Sequence, residues 1–270
     1  MENNNMKNAY NYPIHMNKNN LIRSVLQSLS AIVIIAFCCF YSGLFDLNRL
    51  FEGVPSIVSL AKESMPPNFS DAHNWIKPIV DTIAMSIAGT ILAISISLPL
   101  AFLGARNTTP HPVLYYAART ILNVLRSIPE LIMGILFVAA VGFGALPGVL
   151  ALGLHSVGMV GKFFSEAIEH IDEGPVEAVK SSGANYLQVI SRGILPQVLP
   201  QMADTSIYRW EYNFRASTVM GMVGAGGIGF ELMSSLRIMQ YQEVSAILLL
   251  ILIMVTIVDG IGSYLRKRLK

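Results

Sequence analysis

Six stretches of this 270-residue chain are too long and too apolar to lie on the surface of a soluble domain. They run at about 22–44, Asp81–Ala105, Ala118–Val141, Leu146–Phe164, Pro200–Val223 and Val244–Tyr264. A hydrocarbon core about 30 Å thick is crossed by roughly 20 apolar residues in helical form, and within it only structures that satisfy their own backbone groups survive. The expectation is an all-α, polytopic membrane protein of about six transmembrane helices. Composition agrees, at 53% hydrophobic and 13% charged residues, where a soluble domain carries roughly 25% charge. The net charge of +2, with no basic run interleaved with aromatics, gives no ground for a nucleic-acid partner.

The polar intervals set the orientation. Residues 1–20 form an Asn-rich tail with Lys7 and Lys18, and no A-x-A-like cleavage site follows the first span, which therefore stays in place. With six spans, the tail, the 106–119 loop, the 165–199 loop and the C-terminus share one side. That side carries Arg106, Lys180, Arg192 and the terminal Arg266-Lys267-Arg268, so it is expected to be cytoplasmic. Residues 45–78 are read as a mixed-charge loop, too polar to span.

The fifth segment is unusual because it carries Asp204, Arg209, Glu211 and Arg215. Each such charge costs roughly 2.5–3.5 kcal/mol at the centre of a lipid-facing helix, so these groups should face protein or water. The alternative for Asp204 and Arg209 is snorkelling to the cytoplasmic boundary. Arg126 and Glu130 flank Pro129 early in the third span and invite the same reading. Arg126, Glu130 and Arg215 are the candidate substrate pathway.

Between the fourth and fifth spans lies Asp172–Pro200, the longest polar, helix-competent stretch. Pro175 suits a first helical turn, and Val176, Val179, Gly183, Leu187 and Ile190 recur at spacings of three and four as one apolar stripe. Pro196 is expected to end the pattern. Glu177, Ala178, Gly183, Leu195 and Pro196 fall in register with the EAA signature of ABC-importer permeases, although Val179 and Gly193 depart from it. The run Arg126-Ser127-Ile128-Pro129-Glu130, the run from Gly161 to Asn185, and the stretch from Phe214 to Leu232 are similar to phosphonate ABC-importer permeases.

That resemblance covers roughly residues 75–265 and leaves the tail 1–20 and the first transmembrane helix, 22–44, outside it. It implies a type I ABC importer transmembrane-domain fold with the 165–199 loop as a cytoplasmic coupling loop. It also implies a second permease chain, a cytoplasmic ABC ATPase dimer that binds the ATP, and an extracellular or periplasmic phosphonate-binding protein. Glu177, Ala178, Gly183, Leu195 and Pro196 would form the ATPase-coupling loop. An importer for another small solute such as phosphite, phosphate or an amino acid is the alternative.

Other motifs carry less. Gly224-Ala225-Gly226-Gly227-Ile228-Gly229 matches a dinucleotide pattern letter for letter, but no βαβ unit surrounds it, and a glycine-rich helix end fits better. No phosphate-binding loop ending in Gly-Lys-Ser/Thr occurs, so ATP hydrolysis is expected in a separate subunit. The five histidines lack metal-ligand spacing, and His155-Ser156 lies mid-span with packing as its default role. Cys38 and Cys39 are adjacent within an apolar run and suggest neither a disulfide nor a metal site. No catalytic residue, metal or cofactor is expected, and the partners are the lipid bilayer and the other importer subunits.

Overall fold

The computed structural model describes residues 18–269, so Lys7 and most of the 1–20 tail lie outside the described residues. The chain divides into two units at Ala61. The first contains α1, Lys18–Tyr41, and most of α2, Leu47–Glu63. Helix α1 is long and apolar enough to cross a membrane. The expected loop after it is instead largely helical, because Leu47, Phe51, Val54, Val58 and Ala61 recur at spacings of three and four. Polarity averaged over 45–78 hid that periodicity.

The second unit begins with α3, Ile76–Leu103, continued from a short 3₁₀ turn at Ala72–Trp75. Helices α4 (Pro112–Ser127), α5 (Glu130–Val141) and α6 (Ala145–Glu169) follow. Then come α7 (Glu173–Ser181), the single turn α8 (Tyr186–Gln188), α9 (Leu195–Met220), α10 (Ile228–Arg237) and α11 (Tyr241–Leu269). Among the described residues four helices suffice alone as spans, and two bent pairs bring the total to as many as six.

The third span is not one helix. Ile128 precedes a proline and takes an extended conformation, φ −87° and ψ 120°, as steric conflict with the proline ring requires. Pro129 caps α5, and the chain turns by 87° between α4 and α5. The sequence reading carried one span through Pro129, because the apolar run on both sides concealed the break.

Helix α6 is the central strut, packed against α3, α4, α5 and α9. Small residues allow it to come close. A Cβ on Gly158 would lie 2.6 Å from both the Arg126 backbone nitrogen and the Leu122 carbonyl oxygen of α4. Toward the α7 end, Ala101, Val160, Phe164, Ile168, Val176, Val189, Ile194, Val198 and Met202 form one core. Toward the α10 end, Trp75, Ile228, Leu232, Ala246 and Ile247 form another. The Gly224–Gly227 stretch is a helix-breaking turn with positive φ at Gly224, Gly226 and Gly227, and Gly224 accepts the Gly144 N–H at 3.3 Å.

Gly158→Ala is expected to destabilise the protein by about 1–3 kcal/mol through overpacking against α4. Gly260→Ala, where a Cβ meets nothing within 4 Å, is expected to stabilise by up to about 1 kcal/mol through helix propensity. Thermal unfolding of both variants in detergent checks the contrast.

Candidate functional site

Two regions carry the polar chemistry, the α7–α8 loop and the middle of the helical bundle. In the loop, Asp172 caps α7 by accepting the Gly174 N–H at 3.0 Å. Pro175 stands in the first turn, as expected. Gly183 does not extend the helical stripe. It has φ +79° and ends α7, a left-handed conformation that glycine adopts without strain. Asn185 and Gln188 then form a reciprocal cap that starts α8. Val176 is buried and Val179 half-buried, whereas Leu187 is exposed.

A wider turn with i→i−5 bonding over Val189–Ile194 leads directly into α9. Pro196 thus belongs to the first turn of α9, where its missing N–H is tolerated; it opens a helix rather than closing one. Glu177, Ala178, Gly183 and Pro196 are exposed, and Leu195 is half-buried against the core.

The loop is tied to the α3–α4 connection. The Tyr186 hydroxyl donates to the Thr108 carbonyl, and Asn107 Nδ2 donates to the Ile168 carbonyl. Glu169 receives the Arg106 N–H at 2.9 Å and Arg119 Nη2 at 3.0 Å, while Arg119 Nε donates to the Gly104 carbonyl at 2.7 Å. The hydrogen bond to Tyr115, with the nearby charge of Glu169, holds the Arg106 guanidinium above its ordinary pKa.

The second region lies mid-bundle. Arg209 is 5% exposed and donates from Nε to Ser156 Oγ at 2.7 Å. Ser156 donates to Asn213 Oδ1 at 2.9 Å, Asn213 Nδ2 donates to Thr90 Oγ1 at 2.9 Å, and Thr90 donates to the Ser86 carbonyl at 2.7 Å. The Arg209 guanidinium carbon also sits 4.2 Å from the centroid of the Tyr212 ring. The Tyr212 hydroxyl donates to Glu130 Oε1 at 2.8 Å, and His155 Nε2 lies 3.0 Å from Glu130 Oε2. His155 Nδ1 is 3.0 Å from the Ile128 carbonyl, which the α4–α5 break has released.

A carbonyl can only accept, so Nδ1 must carry a proton. The close approach of Nε2 to the carboxylate needs a second proton between them, held by either partner. Imidazolium with carboxylate, or imidazole with carboxylic acid, leaves the pair electrically neutral. Arg209 therefore gives the cluster a net charge of +1.

The three pathway residues nominated from sequence do not meet in one place. Glu130 belongs to this cluster. Arg215 Nη1 pairs with Asp259 Oδ1 of α11 at 2.7 Å, and Arg126 is exposed in the last turn of α4. Arg209 does not snorkel; it is buried, whereas Asp204 is exposed. Buried Glu211 pairs with Arg266 Nη1 at 2.9 Å. His155 and Ser156, expected simply to pack, have partners at the α4–α5 break, on α5 and on α9. The signal for them was the coincidence of mid-span polar residues on separate helices, which a linear reading does not align.

The model of the binding-protein-dependent transport system inner membrane component matches residues 97–270. This chain belongs to that family. As a permease it is 67% identical over 237 residues, 88% of its length and 86% of the relative's, to a phosphite transport system permease of Stutzerimonas stutzeri. It is 43% identical to a phosphate-import permease of Mycolicibacterium smegmatis over 83% of its length and 42% of that protein's. The permease also resembles the inward-facing MetNI methionine ABC transporter, with TM-score 0.63 at 22% identity over 73% of this chain and 96% of the other. That likeness concerns the fold, which is that of a type I ABC importer transmembrane subunit. The permease is a multi-pass membrane protein and a transport subunit, not an enzyme.

Tyr186→Phe removes one hydrogen bond between the permease's α8 turn and the α3–α4 connection, worth about 0.5–1.5 kcal/mol. Faster amide hydrogen exchange is expected across residues 173–190, with exchange in α6 unchanged.

Proposed function

We propose that this chain is the membrane-spanning subunit of an ATP-driven importer for phosphorus oxyanions, with phosphite first and phosphonates second. The 67% identity to a phosphite transport permease over 88% of the chain carries the proposal. The similarity of the Arg126–Glu130 run and the 161–185 and 214–232 stretches to phosphonate permeases supports the second substrate. In this reading two permease chains work with a cytoplasmic ATPase dimer and an external binding protein that delivers the anion. Both termini face the cytoplasm, in keeping with the basic last turn of α11 and with Lys180 and Arg192 in the α7–α9 loop.

The exposed loop surface, with Glu177, Ala178 and Gly183, docks on the ATPase. Val176, Val189 and Ile194 share a core with α3, α6 and α9, so a displacement of the loop is passed to the spans as packed elements rather than as a slack linker. Arg126, Glu130 and Arg215 belong to the path of the anion, where cations and hydrogen-bond donors replace its hydration. Alternating access then amounts to a bistable assembly biased by ATP on one side and by loaded binding protein on the other.

The deciding experiment is ATPase activity of the reconstituted complex with its binding protein, across phosphite, alkylphosphonates, aminoethylphosphonate, phosphate and methionine. Stimulation by phosphite, with or without phosphonates, is expected. Stimulation by methionine alone would overturn the substrate class. For the loop, Gly183→Val forces a β-branched residue to φ +79°, where such residues are strained. It is expected to insert normally but to lose ATPase co-purification. A fully coupled, co-purifying variant would remove the loop from this role.

A further inference from the structure

We propose that Arg209, Tyr212, His155 and Glu130 form a transit site within the membrane for a singly charged, protonated phosphorus oxyanion. The proposal rests on the substrate class inferred above and assigns that substrate a place in this chain.

Position comes first. Thr90, His155 and Arg209 each lie roughly 15–21 Å from either end of their helices at 1.5 Å per residue. The cluster therefore lies well inside the helical bundle and beside a broken helix, a setting in which transporter sites are built. The break between α4 and α5 is part of it: Glu130 is the first residue of α5, so the partial positive charge of that helix end lies at the cluster.

The second observation is an arginine with a donor to spare. Arg209 Nη2 is buried and has no hydrogen-bond partner among the described residues, whereas buried polar groups are overwhelmingly paired. The Ser156–Asn213–Thr90 chain fixes the Nε edge of the guanidinium, and Tyr212 covers a face. The Nη2 group is thus preorganised, and a charge-assisted bond to an anionic oxygen would satisfy it.

Third, the cluster is not sealed. The Glu130 side chain is 22% exposed, and Tyr208, one turn before Tyr212, is 55% exposed. A carboxylate and a histidine opening onto lipid would be costly, so this edge suits a polar cavity along α9.

The ligand follows from the chemistry. A net charge of +1 matches a monoanion. Arg209 Nη2 can donate to its oxygens, while the Tyr212 hydroxyl, His155 Nδ1 and the proton shared with Glu130 are already engaged. Glu130, when the shared proton rests on His155, is an acceptor only, and beyond the bonds from Tyr212 and His155 its remaining lone pairs can take a ligand O–H. Phosphite, phosphonate and phosphate monoanions carry one, whereas sulfate at neutral pH has the same tetrahedral outline and no proton. The remaining Glu130 lone pairs facing sulfate would meet oxygens with no proton between them, and this would discriminate against it.

The test uses the assembled permease–ATPase complex. Inorganic phosphite is observed by ³¹P line broadening without binding protein, and phosphite uptake into liposomes is measured with it. Wild type should broaden the line, and tenfold excess sulfate should not reverse the effect. Arg209→Gln should abolish the broadening and cut uptake at least about tenfold while keeping its melting temperature. Glu130→Gln should let sulfate compete. Uptake by Arg209→Gln within twofold of wild type, or undiminished broadening, would overturn the site. Should Arg209→Gln not assemble, Arg209→Lys and Glu130→Gln decide: unchanged broadening and unchanged sulfate exclusion in both overturn it. Failure of the wild type itself to take up any phosphorus oxyanion would refute the substrate reading instead.

Discussion

Charged groups inside a bilayer have few acceptable surroundings, and this helical bundle is arranged around supplying them. Water is absent there, so a guanidinium or carboxylate must find its partner on another helix. Arg209 takes Ser156 from α6, Arg215 takes Asp259 from α11, Glu211 takes Arg266, and Glu130 takes both His155 and Tyr212. Each pairing joins α9 or α5 to a neighbour. Among these apolar helices the polar links add directionality to packing that small residues such as Gly158 make close. The same requirement explains the broken third span, because His155 supplies the donor that the carbonyl of Ile128 lost when Pro129 interrupted the helix.

Much of this architecture was legible in the chain. Long apolar runs do not depend on tertiary context, so the spans at 81–105, 146–164 and 244–264 correspond to helices within a few residues at most ends. The start of the polar helix was legible because Pro175 marks its first turn locally, whereas the stripe was carried through Gly183, whose positive φ ends α7. The α2 helix was lost to averaging, since its charges and its apolar stripe occupy different faces of one short segment.

Mid-bundle chemistry was the least legible. Thr90, His155 and Arg209 are separated by more than fifty residues from one another, and nothing in the linear chain aligns their depths. Charge alone drew attention to Arg126 and Arg215, yet charge does not say which cation will already have a carboxylate. Arg215 has one in Asp259, and the buried Arg209 has an Nη2 group without a partner among the described residues.

The i→i−5 turn at Val189–Ile194 also acts as an angular setting. Each residue of an α-helix advances the side-chain direction by about 100°. The wider turn therefore determines which bearing α9 takes as it leaves the loop. Arg209, Tyr212 and Asn213 meet α5, α6 and α3 only at that bearing. A transport cycle that tightened the turn into regular helix would rotate the face α9 presents, without unwinding the helix itself. A short loop segment would then act as a rotary dial for polar groups deep in the bundle.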